Sequence, residues 1–85
     1  LSFNATEPLY WETLQLREKI LGKDHPDTLI SMNNLARLLE SQGKYNTAEP
    51  LYRETLQLRE KVLGKEHPQT LTSMNNLSRL LESQG

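Results

Sequence analysis

Asn33, Arg37 and Ser41 are spaced four residues apart, and the same three types return as Asn75, Arg79 and Ser83. At i, i+4 and i+8 such residues form a stripe along one side of a helix. Their chemistry is recognition. An amide offers donors and an acceptor to the backbone of an extended peptide, and a guanidinium can take a carboxylate through two parallel bonds. His25 and His67 are the other groups with chemical reach, each following an acid and preceding a proline. The acids Asp24 and Asp27 around the first become Glu66 and Gln69 around the second, so one acid is lost and no further ligand sits at fixed spacing. Helix capping or loop packing is the expected role of both histidines. The chain has no Gly-rich phosphate loop, no serine elbow and no HExxH pattern, so no catalytic residue, metal ligand or cofactor is assigned.

Composition narrows the classes further. The chain has 85 residues, 10 basic and 11 acidic, and no cysteine, so disulfide frameworks and thiolate zinc sites are excluded. Its longest aliphatic runs are pairs such as Leu38-Leu39, too short for a membrane-crossing helix, and its first residues carry no basic start followed by an apolar stretch. Interleaved charges summing to −1 present no basic face to nucleic acid and no cationic helix to a membrane surface. A cytoplasmic setting is expected, with neither nucleic acid nor membrane as partner. Leucine fills 17 positions and Val plus Ile only three, which favours helix over sheet.

The elements that must position the polar stripe come from an internal repeat. Residues 13–43 recur at 55–85, 42 residues later, and only five of the 31 pairs differ: Ile20/Val62, Asp24/Glu66, Asp27/Gln69, Ile30/Thr72 and Ala36/Ser78. Residues 1–12 and 43–54 keep Asn, Glu, Pro, Leu, Tyr and Glu in register, so the period runs through the whole chain and leaves no room for a linker. One domain of two repeats is expected, about 1–42 and 43–85, as part of a longer array.

Each repeat carries two helical patterns. Leu29, Met32, Leu35, Ala36 and Leu39 mark one face of a helix over 26–42, opened by Pro26 and closed by Gly43. A second runs from about 46 to 63, with Ala48, Leu51, Tyr52, either Thr55 or Leu56, Leu58 and Val62 on a broad face. Asn46 is its expected N-cap, with Pro50 in the first turn. Helices over about 4–21 and 68–84 complete four, and the two-residue turn Gly43-Lys44 makes neighbours antiparallel. Stacked identical units generate a superhelix with one concave face.

These residues resemble tetratricopeptide repeats, in the 42-residue variant of kinesin light chains. Met32, Leu35, Ala36 and Leu39, then Gly43 and Tyr45, then Ala48 and Tyr52 stand at that family's spacing, and the loop LGKDHPDT, repeated as LGKEHPQT, marks the longer variant. Phe3 in place of Tyr45, Trp11 in place of Arg53, and Leu1-Ser2 in place of Gly43-Lys44 depart from it. The resemblance implies an all-α, right-handed superhelical solenoid of antiparallel helix pairs. It further implies that the first helix of each repeat lines a groove for partner peptides. Carried over, the groove residues are Asn33, Asn34, Arg37 and Ser41 with Asn75, Asn76, Arg79 and Ser83, flanked by Ile30, Glu40, Thr72 and Glu82.

The implied function is a non-enzymatic scaffold that binds protein or peptide partners. The alternative is a structural spacer, or a module that stacks head-to-tail without a peptide ligand; a sensor array attached to a nucleotide-hydrolysing domain is a third reading. End-to-end self-association is expected in any case, because the last helix nearly duplicates an internal one. Tyr10, Tyr45, Tyr52 and Phe3 are expected at helix contacts, and Trp11 over an apolar end or at a contact with another chain. Arg-Glu-Lys at 17–19 and 59–61 reads as a solvated charge run. The sequons Asn4-Ala5-Thr6 and Asn76-Leu77-Ser78 are not expected to carry sugar, the second lying within a helix.

Overall fold

The computed structural model describes residues 6–85. Leu1-Ser2, Phe3 and the sequon asparagine Asn4 lie outside the described residues. Four α-helices follow one another, α1 (Thr6–Leu21), α2 (Pro26–Ser41), α3 (Tyr45–Leu63) and α4 (Pro68–Gln84). Helix fills everything described except three short connections and the final residue, and no strand occurs among the described residues.

The helix starts follow from local chemistry. His25 and His67 occupy the N-cap positions of α2 and α4 in extended conformation, and their Nδ1 atoms accept the backbone N–H of Asp27 and of Gln69 at 3.0 Å. Pro26 and Pro68 follow at the first helical position, where a missing N–H removes a donor that would have no partner. Capping is thus what both histidines do. At the other end of α2, Gly43 (φ 78°) donates to the Glu40 carbonyl at 2.9 Å, and Lys44 donates to the Leu39 carbonyl at 2.9 Å. These are the two bonds of a Schellman motif, which needs a left-handed residue at this place.

The chain enters α3 from that motif without a pause, and here the expected cap is wrong. Tyr45 is already helical, the Lys44 carbonyl accepts from Thr47 and Ala48, and no side chain caps the end. Asn46 is therefore inside the helix, and Pro50, its sixth residue, lies beyond the first turn.

Antiparallel pairing is visible in contacts that join opposite ends of neighbours. Arg17 near the end of α1 reaches Ser31 near the start of α2, and Tyr52 early in α3 reaches Glu40 late in α2. The resulting body is thin, 42 × 37 × 16 Å. All five apolar residues expected on the α2 face are buried. With Thr28 and Ser31 buried as well, α2 is the centre of the molecule. Each large apolar side chain so buried contributes about 1.5–3 kcal/mol, which makes α2 the main source of cohesion.

The α3 face differs from expectation. Ala48, Tyr52, Thr55 and Arg59 are its buried residues, at spacings of four, three and four, whereas Leu51, Leu56 and Leu58 are half-buried and Val62 is exposed. Tyr45 packs half-buried against the core, but Tyr10, expected at a helix contact, is exposed. Trp11 packs on the core cluster and donates its indole N–H to Glu7 at 3.2 Å. Its repeat counterpart Arg53 makes the same i, i+4 bond to Glu49 at 2.8 Å, so Trp11 keeps the donor while adding apolar surface.

Candidate functional site

The polar residues of α2 and α4 meet in a connected network that also takes in α3. Asn76, only 8% exposed, donates from Nδ2 to Asn33 Oδ1 at 3.0 Å. Three helical residues further on, Arg79 clasps the Glu40 carboxylate through Nε at 3.1 Å and Nη2 at 2.8 Å. The buried Tyr52 hydroxyl donates to the same carboxylate at 2.7 Å, and Arg79 Nη1 returns to Asn76 Oδ1 at 3.2 Å. Every nitrogen of the Arg79 guanidinium is engaged. The bidentate geometry is the strongest form such a pair takes.

Electrostatics follow the geometry. The Arg79 hydrogen bonds hold the Glu40 carboxyl below its usual value, with Tyr52 adding to the effect. Burial, then the neighbouring carboxylate, pushes the Tyr52 phenol up. The Glu40 bonds raise Arg79. All three groups are fixed in their neutral-pH charge states.

The two occurrences of the recognition stripe are thus in different states. In α4, Asn76 and Arg79 are tied to α2, and Asn75 is exposed. In α2, the counterparts Asn34 and Arg37 are exposed, while Asn33 is half-buried as the acceptor for Asn76. Ser41 and Ser83 are exposed, and their hydroxyls donate to carbonyls of their own helices, Leu38 at 2.7 Å and Arg79 at 3.1 Å. Exposed polar groups open to a ligand are therefore Asn34, Arg37 and Asn75. Asn34 and Arg37 border a cleft of about 330 Å³, with Tyr10, Leu38 and Ser41 as its other lining residues. A second cleft of about 290 Å³ lies between α1 and α2 against Leu9, Tyr10, Thr13, Arg17, Ser31 and Asn34.

The charge run at 59–61 is not solvated at its first residue. Arg59 is 4% exposed and donates from Nη1 to Ser73 Oγ at 2.9 Å and to the Gln69 carbonyl at 3.3 Å. Arg17 makes the matching bonds to Ser31 and Asp27 at 2.9 and 3.0 Å and is half-buried. The sequence signal for this joint was an arginine followed 14 residues later by a serine, at 17 and 31 and again at 59 and 73. Arg59 has no carboxylate partner, its Nε is unpaired, and burial lowers its affinity for the proton.

Among the described residues no three histidine or acidic side chains are grouped to hold a metal ion, and no helix is long and apolar enough to cross a membrane. Two tetratricopeptide-repeat matches cover residues 2–27 and 28–69 of the 85. The second spans most of α2, all of α3 and the start of α4, so one full repeat is the α2–α3 hairpin. The human (Homo sapiens) tetratricopeptide repeat protein 19, mitochondrial, is 36% identical over 42 residues, which are 49% of this chain and 11% of that protein's length. The helix pairing, the repeat period and these matches agree: the chain belongs to the tetratricopeptide repeat family.

Proposed function

We propose that this protein is a non-catalytic adaptor that holds an extended segment of a partner protein along the face shared by α2 and α4. The observation that supports this most is the row of exposed, uncommitted polar groups, Asn34, Arg37 and Asn75, on a floor that the Asn33–Asn76 and Glu40–Arg79 bonds keep rigid. Rigid donors bind an extended chain with less ordering cost than mobile ones. Arg37 adds a preference for acidic segments. In this reading the right-handed superhelix of longer arrays curves the face into a groove. A cytoplasmic setting suits a cysteine-free chain, with the mitochondrion of the human relative as the other compartment to consider.

A spacer or stacking module without peptide ligand is the competing reading, favoured by the internal engagement of Asn76 and Arg79. Selection from a display library of unstructured peptides separates them. The adaptor reading expects enriched acidic sequences whose binding is lost when Asn34, Arg37 and Asn75 are replaced together by Ala. Failure to enrich any sequence would leave the spacer.

A further inference from the structure

We propose that the cleft between α1 and α2 is the seat for helix α4 of a second copy of this chain, joined head-to-tail in the register that α2 already takes against α3 and α4. The internal repeat supplies the template. A shift of 42 residues turns α1 into α3 and α2 into α4, and the surface corresponding to the α1/α2 cleft is, one repeat later, covered by α2. Tyr10 is 37% exposed where Tyr52 is 1%, and Thr13 is exposed where Thr55 is sealed. At the other end, Leu71, Met74 and Leu81 are 48, 41 and 39% exposed, whereas their counterparts Leu29, Met32 and Leu39 are at most 1% exposed. The helix that fills the internal seat is residues 26–41, and α4 repeats it with three changes.

Polar complementarity fixes the register. In the stack, Glu82 of the second copy takes the place of Glu40 and receives the Tyr10 hydroxyl and the Arg37 guanidinium, as Glu40 receives Tyr52 and Arg79. Asn75 of that copy accepts from Asn34, as Asn33 accepts from Asn76, and its Glu66 meets Lys19, as Asp24 meets Lys61 at 3.0 Å. Such a joint is heterologous and need not close. Two departures make it weaker than the internal one: Ser78 stands where Ala36 is fully buried, and Thr6 where Ala48 is. A buried hydroxyl without a partner opposes association.

The joint takes up Asn34, Arg37 and Asn75, so it competes with peptide capture on the same face, and its test reads mass alone. Sedimentation of the 85-residue chain from micromolar to millimolar concentration should show mass rising without a closed limit. Arg37→Glu or Glu82→Arg alone sets like charges against each other at the joint and should move association to at least about tenfold higher concentration, while helix content holds because Arg79 and Glu40 are untouched. Association should return when the two single variants are mixed, and in the double variant carrying both changes. Ser78→Ala should tighten it several-fold. A wild-type chain that stays monomeric at millimolar concentration, or single variants that associate as the wild type does, would overturn the proposal.

Discussion

Arg17 and Arg59 hold the same place in the repeat and different places in the molecule. Both bridge a helix end to a serine and a carbonyl on the next helix, but only Arg59 is enclosed. Arg59→Ala should lower stability by about 2–3 kcal/mol, through the cavity and two acceptors left unpaired, whereas Arg17→Ala should cost about 1 kcal/mol or less because water replaces its bonds. Urea unfolding of the two variants checks this, and equal losses would contradict it. A run of charges read along a sequence signals solvent, and Arg59 escaped that reading because its partners, Gln69 and Ser73, lie on the next helix. Glu40 makes a second test at this scale. Its carboxyl is depressed below the usual 4.5, so its contribution to stability is present above that pH and is lost as pH falls through the depressed value. Glu40→Gln should cost about 1–2 kcal/mol at neutral pH and less at an acid pH below that depressed value, where the wild type has lost the same contribution. A cost that is the same at both pH values would show that the ion pair contributes nothing.

Among the helices, α2 was legible throughout and α3 only in part. Leu29, Met32, Leu35, Ala36 and Leu39 are apolar and buried, so periodicity and burial agree. The α3 stripe keeps the expected Ala48 and Tyr52, takes Thr55 rather than Leu56, and ends on Arg59 in place of Leu58 and Val62. Both polar residues are buried because each finds a partner: the Thr55 hydroxyl donates to the Leu51 carbonyl at 2.7 Å, and Arg59 to Ser73. The start of α3 was misplaced for a related reason. Asn46 has the composition of a cap, but the Gly43 Schellman motif leads directly into helix and leaves no extended residue there. One consequence is Pro50 at the sixth position of α3. It leaves the Asn46 carbonyl without its i+4 donor, and its exposed ring lies in a helix interior. Pro50→Ala should therefore raise the thermal midpoint, with a gain of about 1 kcal/mol after allowing for the freer unfolded chain. A lowered midpoint would mean that the rigidity proline gives the unfolded state outweighs the lost bond.

Across the whole molecule, near-identical repeats conceal position. Leu29 and Leu71 stand at the same place in nearly the same sequence, yet one is sealed and the other half in solvent, since α2 packs against α1 and α3 and bonds to α4, whereas nothing lies beyond α4 among the described residues. Cohesion is therefore graded from the middle outward, as nearest-neighbour stacking requires. Helix α2 buries seven residues and α1 only Leu14; the bidentate Arg79–Glu40 pair ties α4 to α2, whereas α1 has the surface pair Lys44–Glu7. Such surface pairs contribute about 0–1 kcal/mol each and do little to hold α1 in place. Native-state hydrogen exchange should accordingly show the slowest amides in α2 and the adjoining half of α3, with α1 opening locally at a free energy below that of global unfolding. The gradient also separates a stacked from an isolated molecule. Raising the protein concentration should slow exchange in α1 and α4 together, because each end covers the other, and should slow α2 as well, since its amides open only with the whole molecule that association stabilises. Uniform protection along all four helices at low concentration would show that the two repeats unfold as one cooperative unit, with coupling across the α1/α2 joint stronger than its few buried side chains supply.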